Sequence, residues 1–195
     1  MSTPEDRVKE ISLYLRNIIT KRPRIVRNFD EKERNYVDAA VWDGIPDEGL
    51  ATVLTLDLSY YPLIEYGKPY TKGKAELMAI CHKSDQDFMI DVVATCAHCV
   101  INSKWFCAPR AVFPDVISMY DDNLNMKHVF FDFPRLYPEH LSKANIGGVS
   151  TMWLMIVPIS ESEYQYAINV SVEALQELLN KHQIDCCDLN RPSVV

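Results

Sequence analysis

The chain has 195 residues, 48% of them hydrophobic, and a formal net charge of -7 at neutral pH. That length supplies one full hydrophobic core and is short for two, so a single domain over residues 1–195 is expected. The acidic balance argues against a sequence-independent nucleic-acid binder, which needs a basic field to displace counterions from phosphate. No charged-then-apolar leader opens the chain and no apolar run approaches the roughly 20 residues that span a bilayer, so a cytoplasmic setting without membrane contact is expected.

Thr3, followed by Pro4 and with Asp6 three positions on, is a helix-start signal. Val8, Ile11, Leu15 and Ile18 then share one face, which predicts a helix from about residue 4 to 20, stopped by Pro23. The basic run Lys21, Arg22, Arg24 and Arg27 is expected to complement that helix dipole and face water. Strands are predicted over 36–42, 51–58 and 75–81, separated by Asp-Gly, Gly and Gly-Lys-Pro punctuation. In 52–58 the alternating pattern suits antiparallel pairing with one face buried.

Tyr60, Tyr61, Tyr66 and Tyr70 gather around Pro62 and Pro69 in a loop-like segment. Tyrosine offers large contact area at low entropic cost and keeps a polar tip, so these four are candidate partner contacts, with packing under the loop as the simpler role. Ser84 with Asp87 predicts a second capping box and a central helix over 85–101, burying Phe88, Val92, Cys96, Cys99 and Val100. Beyond Pro109, strands are predicted over 112–119, 127–133 and 151–157. Asp121-Asp122-Asn123, beside Tyr120, reads as a turn, and Asp121 and Asp122 join the candidate partner contacts. The long connection from Pro134 to Thr151 contains Gly147-Gly148 and is expected to be functional or mobile.

At the end of the chain Pro158 is expected to stop its strand, and Ser160 with Glu163 to cap a helix carrying Tyr164, Ala167 and Ile168. Asn169 is expected in a left-handed C-terminal position, and Ser171 to cap a last helix burying Val172, Leu175, Leu178 and Leu179. The order of elements is that of an α+β domain, a mixed, largely antiparallel sheet flanked by helices.

Six cysteines and five histidines invite chemistry. Cys96-Ala97-His98-Cys99, with Cys81, His82 and Cys107, is the nearest approach to a zinc set, but the helix pattern turns Cys96 and Cys99 to its apolar face and no second pair follows at finger-like spacing. A nucleophilic thiol would draw on Cys81, Cys107, Cys186 or Cys187 with His82, His128, His140 or His182, and no local pattern favours any pair. The acidic pairs Asp121/Asp122 and Asp185/Asp188 are conceivable acid–base groups with nothing to single them out. No phosphate loop, nucleophile elbow or metalloprotease helix is present, so catalytic residues, cofactors and metals are all expected to be none.

The strand Met152-Trp153-Leu154-Met155-Ile156-Val157 running into Pro158-Ile159-Ser160-Glu161-Ser162-Glu163, and the ending Asp188-Leu189-Asn190-Arg191-Pro192-Ser193-Val194, resemble the suppressor-of-fused family as its bacterial single-domain members carry them. Phe113-Pro114-Asp115-Val116-Ile117 and the strand over 129–134 fit the same order, so the resemblance covers about 85–195. It implies a non-catalytic protein-binding domain: bacterial members are taken to be immunity proteins of polymorphic toxin systems, and the animal member binds a transcription-factor peptide as an added strand. The implied partner is a toxin domain; a cysteine-dependent enzyme, a zinc protein or a strand-adding adaptor are the alternatives. Trp153, Pro158, Asp188, Asn190, Arg191 and Pro192 then have architectural roles, Arg191 pinning the C-terminus.

Overall fold

A computed structural model describes residues 3–134 and 141–195. Thr3 caps α1 (Pro4–Arg16) through the predicted reciprocal box with Asp6. Then follow β1 (Arg24–Phe29), β2 (Tyr36–Asp43), β3 (Leu50–Thr55), the two-residue strands β4 (Ile64–Glu65) and β5 (Lys68–Pro69), and β6 (Lys74–His82). The second half holds α2 (Gln86–Asn102), β7 (Val112–Phe113), β8 (Met126–Asp132), β9 (Lys143–Ile146), β10 (Val149–Ser160), α3 (Glu161–Asn169) and α4 (Val172–Lys181).

The main sheet runs β1-β2-β3-β6-β10-β8-β7, with β9 hairpinned onto β10. Every pairing is antiparallel except β10 with β6. Its central strands are apolar on both faces because both faces are covered. On one face the small side chains Ala39, Ala51, Ala75 and Ala79 let α2 lie close, with Val92, Val93, Cys96 and Ala97 packed down onto them. The other face carries bulky groups, Trp42, Leu54, Met78, Ile80 and Trp153, under Ile11 and Leu15 of α1 and Leu175 and Leu179 of α4.

Two buried arginines tie the ends of the chain to this sheet. Arg7 of α1 donates to Ser59 Oγ (2.6 Å), Glu10 (2.9 Å), the Ile146 carbonyl (2.9 Å) and Thr151. Arg191 grips the fully buried Glu163 through both terminal nitrogens (2.7 and 2.8 Å) and donates to the Pro158 carbonyl (2.9 Å), while Glu163 also accepts the Ser160 and Val194 N–H groups. The expected pinning of the tail is thus an ion pair inside the fold, anchored on the capping box of α3.

Several expectations are corrected. The first helix ends at Arg16, and Arg24 and Arg27, expected to serve its dipole, lie in the unpredicted edge strand β1. There Arg27 forks onto Asp38 (2.8 Å twice) and covers the Tyr36 ring, so its charge is spent on the sheet. The strand predicted to residue 58 stops at Thr55, because Asp57 turns inward to accept the Asp38 N–H and a tight turn over Leu58–Tyr60 follows. Asp85, not Ser84, precedes α2, with no side-chain cap. The strand predicted over 112–119 stops at Phe113: Asp115 has φ +59° and donates its N–H to His128 Nδ1 (2.8 Å). Pro158 does not end its strand; the β6 ladder closes at Met155, and Pro158 continues opposite Val129 where only β8 pairs. Asn169 is the last helical residue of α3, without a left-handed turn. The long connection expected from 134 to 151 contains β9 and turns through Gly147 and Gly148, both at positive φ; residues 135–140 lie outside the described part.

Candidate functional site: a cleft beside α2

The outward face of α2 presents Thr95, His98, Cys99 and Asn102. Against it stand the turn between β1 and β2, Asp30 to Arg34, and the Met119–Tyr120 corner created where Asp115 breaks the strand. Together with Phe29 they enclose an open cleft of about 500 Å³. Phe29 (56% exposed), Met119 (68%) and Tyr120 (44%) are three of the largest exposed apolar side chains, and all converge here.

The walls are fixed by hydrogen bonds. Asp30 accepts the Arg34 N–H (2.8 Å) and Asn102 Nδ2 (3.1 Å), and Asn35 donates to Asn102 Oδ1 (2.8 Å), riveting the β1–β2 turn to α2. Tyr120 shares a 2.5 Å hydrogen bond with the Thr95 hydroxyl, donates to the Asp91 carbonyl (3.2 Å) and meets the Phe88 ring edge-on. His98 differs from its neighbours: both ring nitrogens are buried, beside the Asn28 main chain. Burial holds its pKa below the usual histidine range, so the ring is neutral and offers one donor and one acceptor.

Of the four tyrosines, Tyr61 and Tyr70 lean on the α2-side core, Tyr70 meeting Phe106 at 5.3 Å; Tyr60 packs edge-on against Tyr61, and Tyr66, 98% exposed at the β4–β5 tip, lines a surface hollow with Tyr70. Asp121 and Asp122 make the expected turn, Asp121 accepting the Asn123 N–H (2.9 Å) and Asp122 pairing with Lys127 (2.6 Å). They follow Tyr120 at the edge of the cleft without lining it. Phe29, His98 and Met119 were not singled out as partner contacts, because they come together only through three segments distant in sequence.

Among the described residues the cysteines and histidines considered for zinc or nucleophilic chemistry do not come together. Cys96 and Cys107 are sealed in the α2 core, where burial pushes both thiols well up; burial likewise raises Cys81 to about 12. His98 and Cys99 instead face the cleft, and His82 is exposed at the end of β6. His128 is spoken for by the Asp115 N–H, by Glu161 (2.9 Å) and by stacking on Tyr164. His182 is exposed at the end of α4, and His140 lies outside the described residues.

The family model described as Suppressor of fused protein (SUFU) matches residues 33–192, reaching well upstream of the region where the sequence resemblance was read. Immunity protein YqcF of Bacillus subtilis (strain 168) is 37% identical over 174 residues, 89% of this chain and 90% of that protein. A SUFU homolog from Neisseria gonorrhoeae FA 1090 has the same fold, with a TM-score of 0.70 at 16% identity over 98% of both chains. The Sufu–Fu complex matches with a TM-score of 0.65 at 11% identity, covering 96% of this chain and 92% of that one. Drosophila Suppressor of Fused matches at 0.62 and 11% identity, with 96% of this chain covering 51% of it.

Proposed function

The chain belongs to the suppressor of fused family, and from that premise we propose that it is an immunity protein that binds and blocks a cognate toxin domain, without catalysis of its own, in the cytoplasm of the cell that makes both. The observation that carries the reading is its likeness to Immunity protein YqcF over about nine-tenths of both chains. The cleft beside α2 is the docking surface that fits such a role. Phe29, Met119 and Tyr120 supply exposed apolar and aromatic anchors, the kind of group that dominates interface energetics.

Inhibition follows from occlusion: a domain seated over the toxin's working surface excludes its substrate. A toxin acting on nucleic acid presents a basic face, which a chain of net charge -7 complements; association is then fast at low salt and slows as salt screens it. The test is co-expression with toxin domains from the genome that carries this gene. Wild type restores growth, and Phe29→Asp with Met119→Asp does not, although the variant accumulates as folded protein. Failure of the wild type to protect, or to form a complex with that toxin, would overturn the reading.

A further inference from the structure

After α4 the chain turns through Ile184-Asp185-Cys186-Cys187 before the tail begins. A carboxylate oxygen of Asp185 and the sulfurs of Cys186 and Cys187 all lie within 4.8 Å of one another, the one group of three such ligands among the described residues. A tetrahedral zinc ion, with Zn–S near 2.3 Å and Zn–O near 2.0–2.2 Å, holds its ligand atoms roughly 3–4 Å apart, so these three close on an ion with a shift of about an ångström.

The local backbone prepares that arrangement. Asp185 Oδ1 accepts the Cys187 N–H at 2.8 Å, which folds the carboxylate back over the thiols and fixes its orientation, as supporting hydrogen bonds do around metal ligands. Exposure is graded: Asp185 is open to solvent, Cys186 is half-buried and Cys187 is buried. An ion therefore enters past the carboxylate and keeps a solvent molecule on its open side. Cys186 also borders an open, largely apolar hollow of about 410 Å³ with Met155, Val157, Leu179 and Ile184.

We propose that Asp185, Cys186 and Cys187 form a binding site for a thiophilic divalent cation of the zinc class. Two thiolates with one carboxylate favour zinc or cadmium over the hard cations magnesium and calcium, which take oxygen ligands. Both thiols give up their protons to bind, so each ion taken up releases two protons to the medium from the thiol form. The site lies between the end of α4 at Lys181 and the tail that Met126 holds through the Leu189 carbonyl (3.0 Å) and Arg191 holds through Glu163.

The test is titration of the reduced full-length protein with cadmium alone. One equivalent should bind, with thiolate-to-cadmium charge-transfer absorption, proton release and a rise in Tm. Cys186→Ser and Asp185→Asn alter a half-buried and an exposed side chain, and circular dichroism should find both folded. Each should weaken binding at least about 10-fold, the lower end of what loss of even a supporting group costs a metal site. No charge-transfer band in the wild type would overturn the proposal, and so would a band of unchanged affinity in both variants, which would put the ion on other thiols.

Discussion

The C-terminal tail and the cleft beside α2 are both assembled from distant segments, and they place their side chains in opposite ways. In the tail every oxygen of Glu163 is used: Arg191 takes both, and the Ser160 and Val194 N–H groups complete them. In the cleft Phe29 and Met119 project into water. The tail buries its charges against one another, whereas the cleft leaves large apolar side chains exposed.

The comparison breaks if the two regions respond alike to substitution. The largest effect belongs to Arg191→Ala, which strands the Glu163 charge in the interior and should cost about 3–5 kcal/mol in denaturant unfolding. Protein that remains folded should keep its toxin affinity. Next comes Tyr120→Ala, which removes an anchor and its bonds to Thr95 and Asp91. It should weaken toxin binding by about 2 kcal/mol, measured calorimetrically, with a much smaller change in stability.

A third effect sharpens the picture of the interior. Burial, then the charges of Glu76 and Asp38, raise Asp57 to about 8, and burial raises Glu76 to about 7 despite hydrogen bonds from Ser59 and Thr55. A carboxyl group whose folded pKa lies above its unfolded value near 4 holds its proton in the native state, so its stabilising contribution is complete below about pH 4 and is lost as pH rises through 7 and 8. Unfolding free energy should fall between about pH 5 and 8 by up to about 1.4 kcal/mol per pH unit per proton. Asp57→Asn should flatten that slope in part; an unchanged slope would mean that Asp57 does not titrate as described. The smallest effect is Tyr66→Ala at the exposed hairpin tip, expected to change both stability and affinity by less than about 0.5 kcal/mol.

Much of the fold was legible where local chemistry decides the outcome. The Thr3–Asp6 and Ser160–Glu163 boxes start α1 and α3 as read, Ser171 caps α4, and the apolar runs of β2, β6, β8 and β10 are strands. What escaped depends on long-range partners. β1 looks like a basic loop because its arginines are matched by Asp38 and by Asp87 across the fold, and the strand after Val112 breaks because His128 takes the Asp115 N–H. The cleft beside α2 is likewise a product of long-range pairing. Tyrosines adjacent in sequence diverge to core and solvent, whereas Phe29, His98 and Met119 share a cleft through pairings that no spacing encodes; Asp121 and Asp122 were close to it because they neighbour Tyr120.

The most direct test of the central claim is the affinity of the purified cognate toxin domain for wild-type protein and for the Phe29→Asp, Met119→Asp variant, with the Tm of each determined alongside. A loss of at least about 100-fold, some 2.7 kcal/mol, at nearly unchanged Tm is the predicted result. Equal affinity in the folded variant would contradict it and move the interface elsewhere on the molecule.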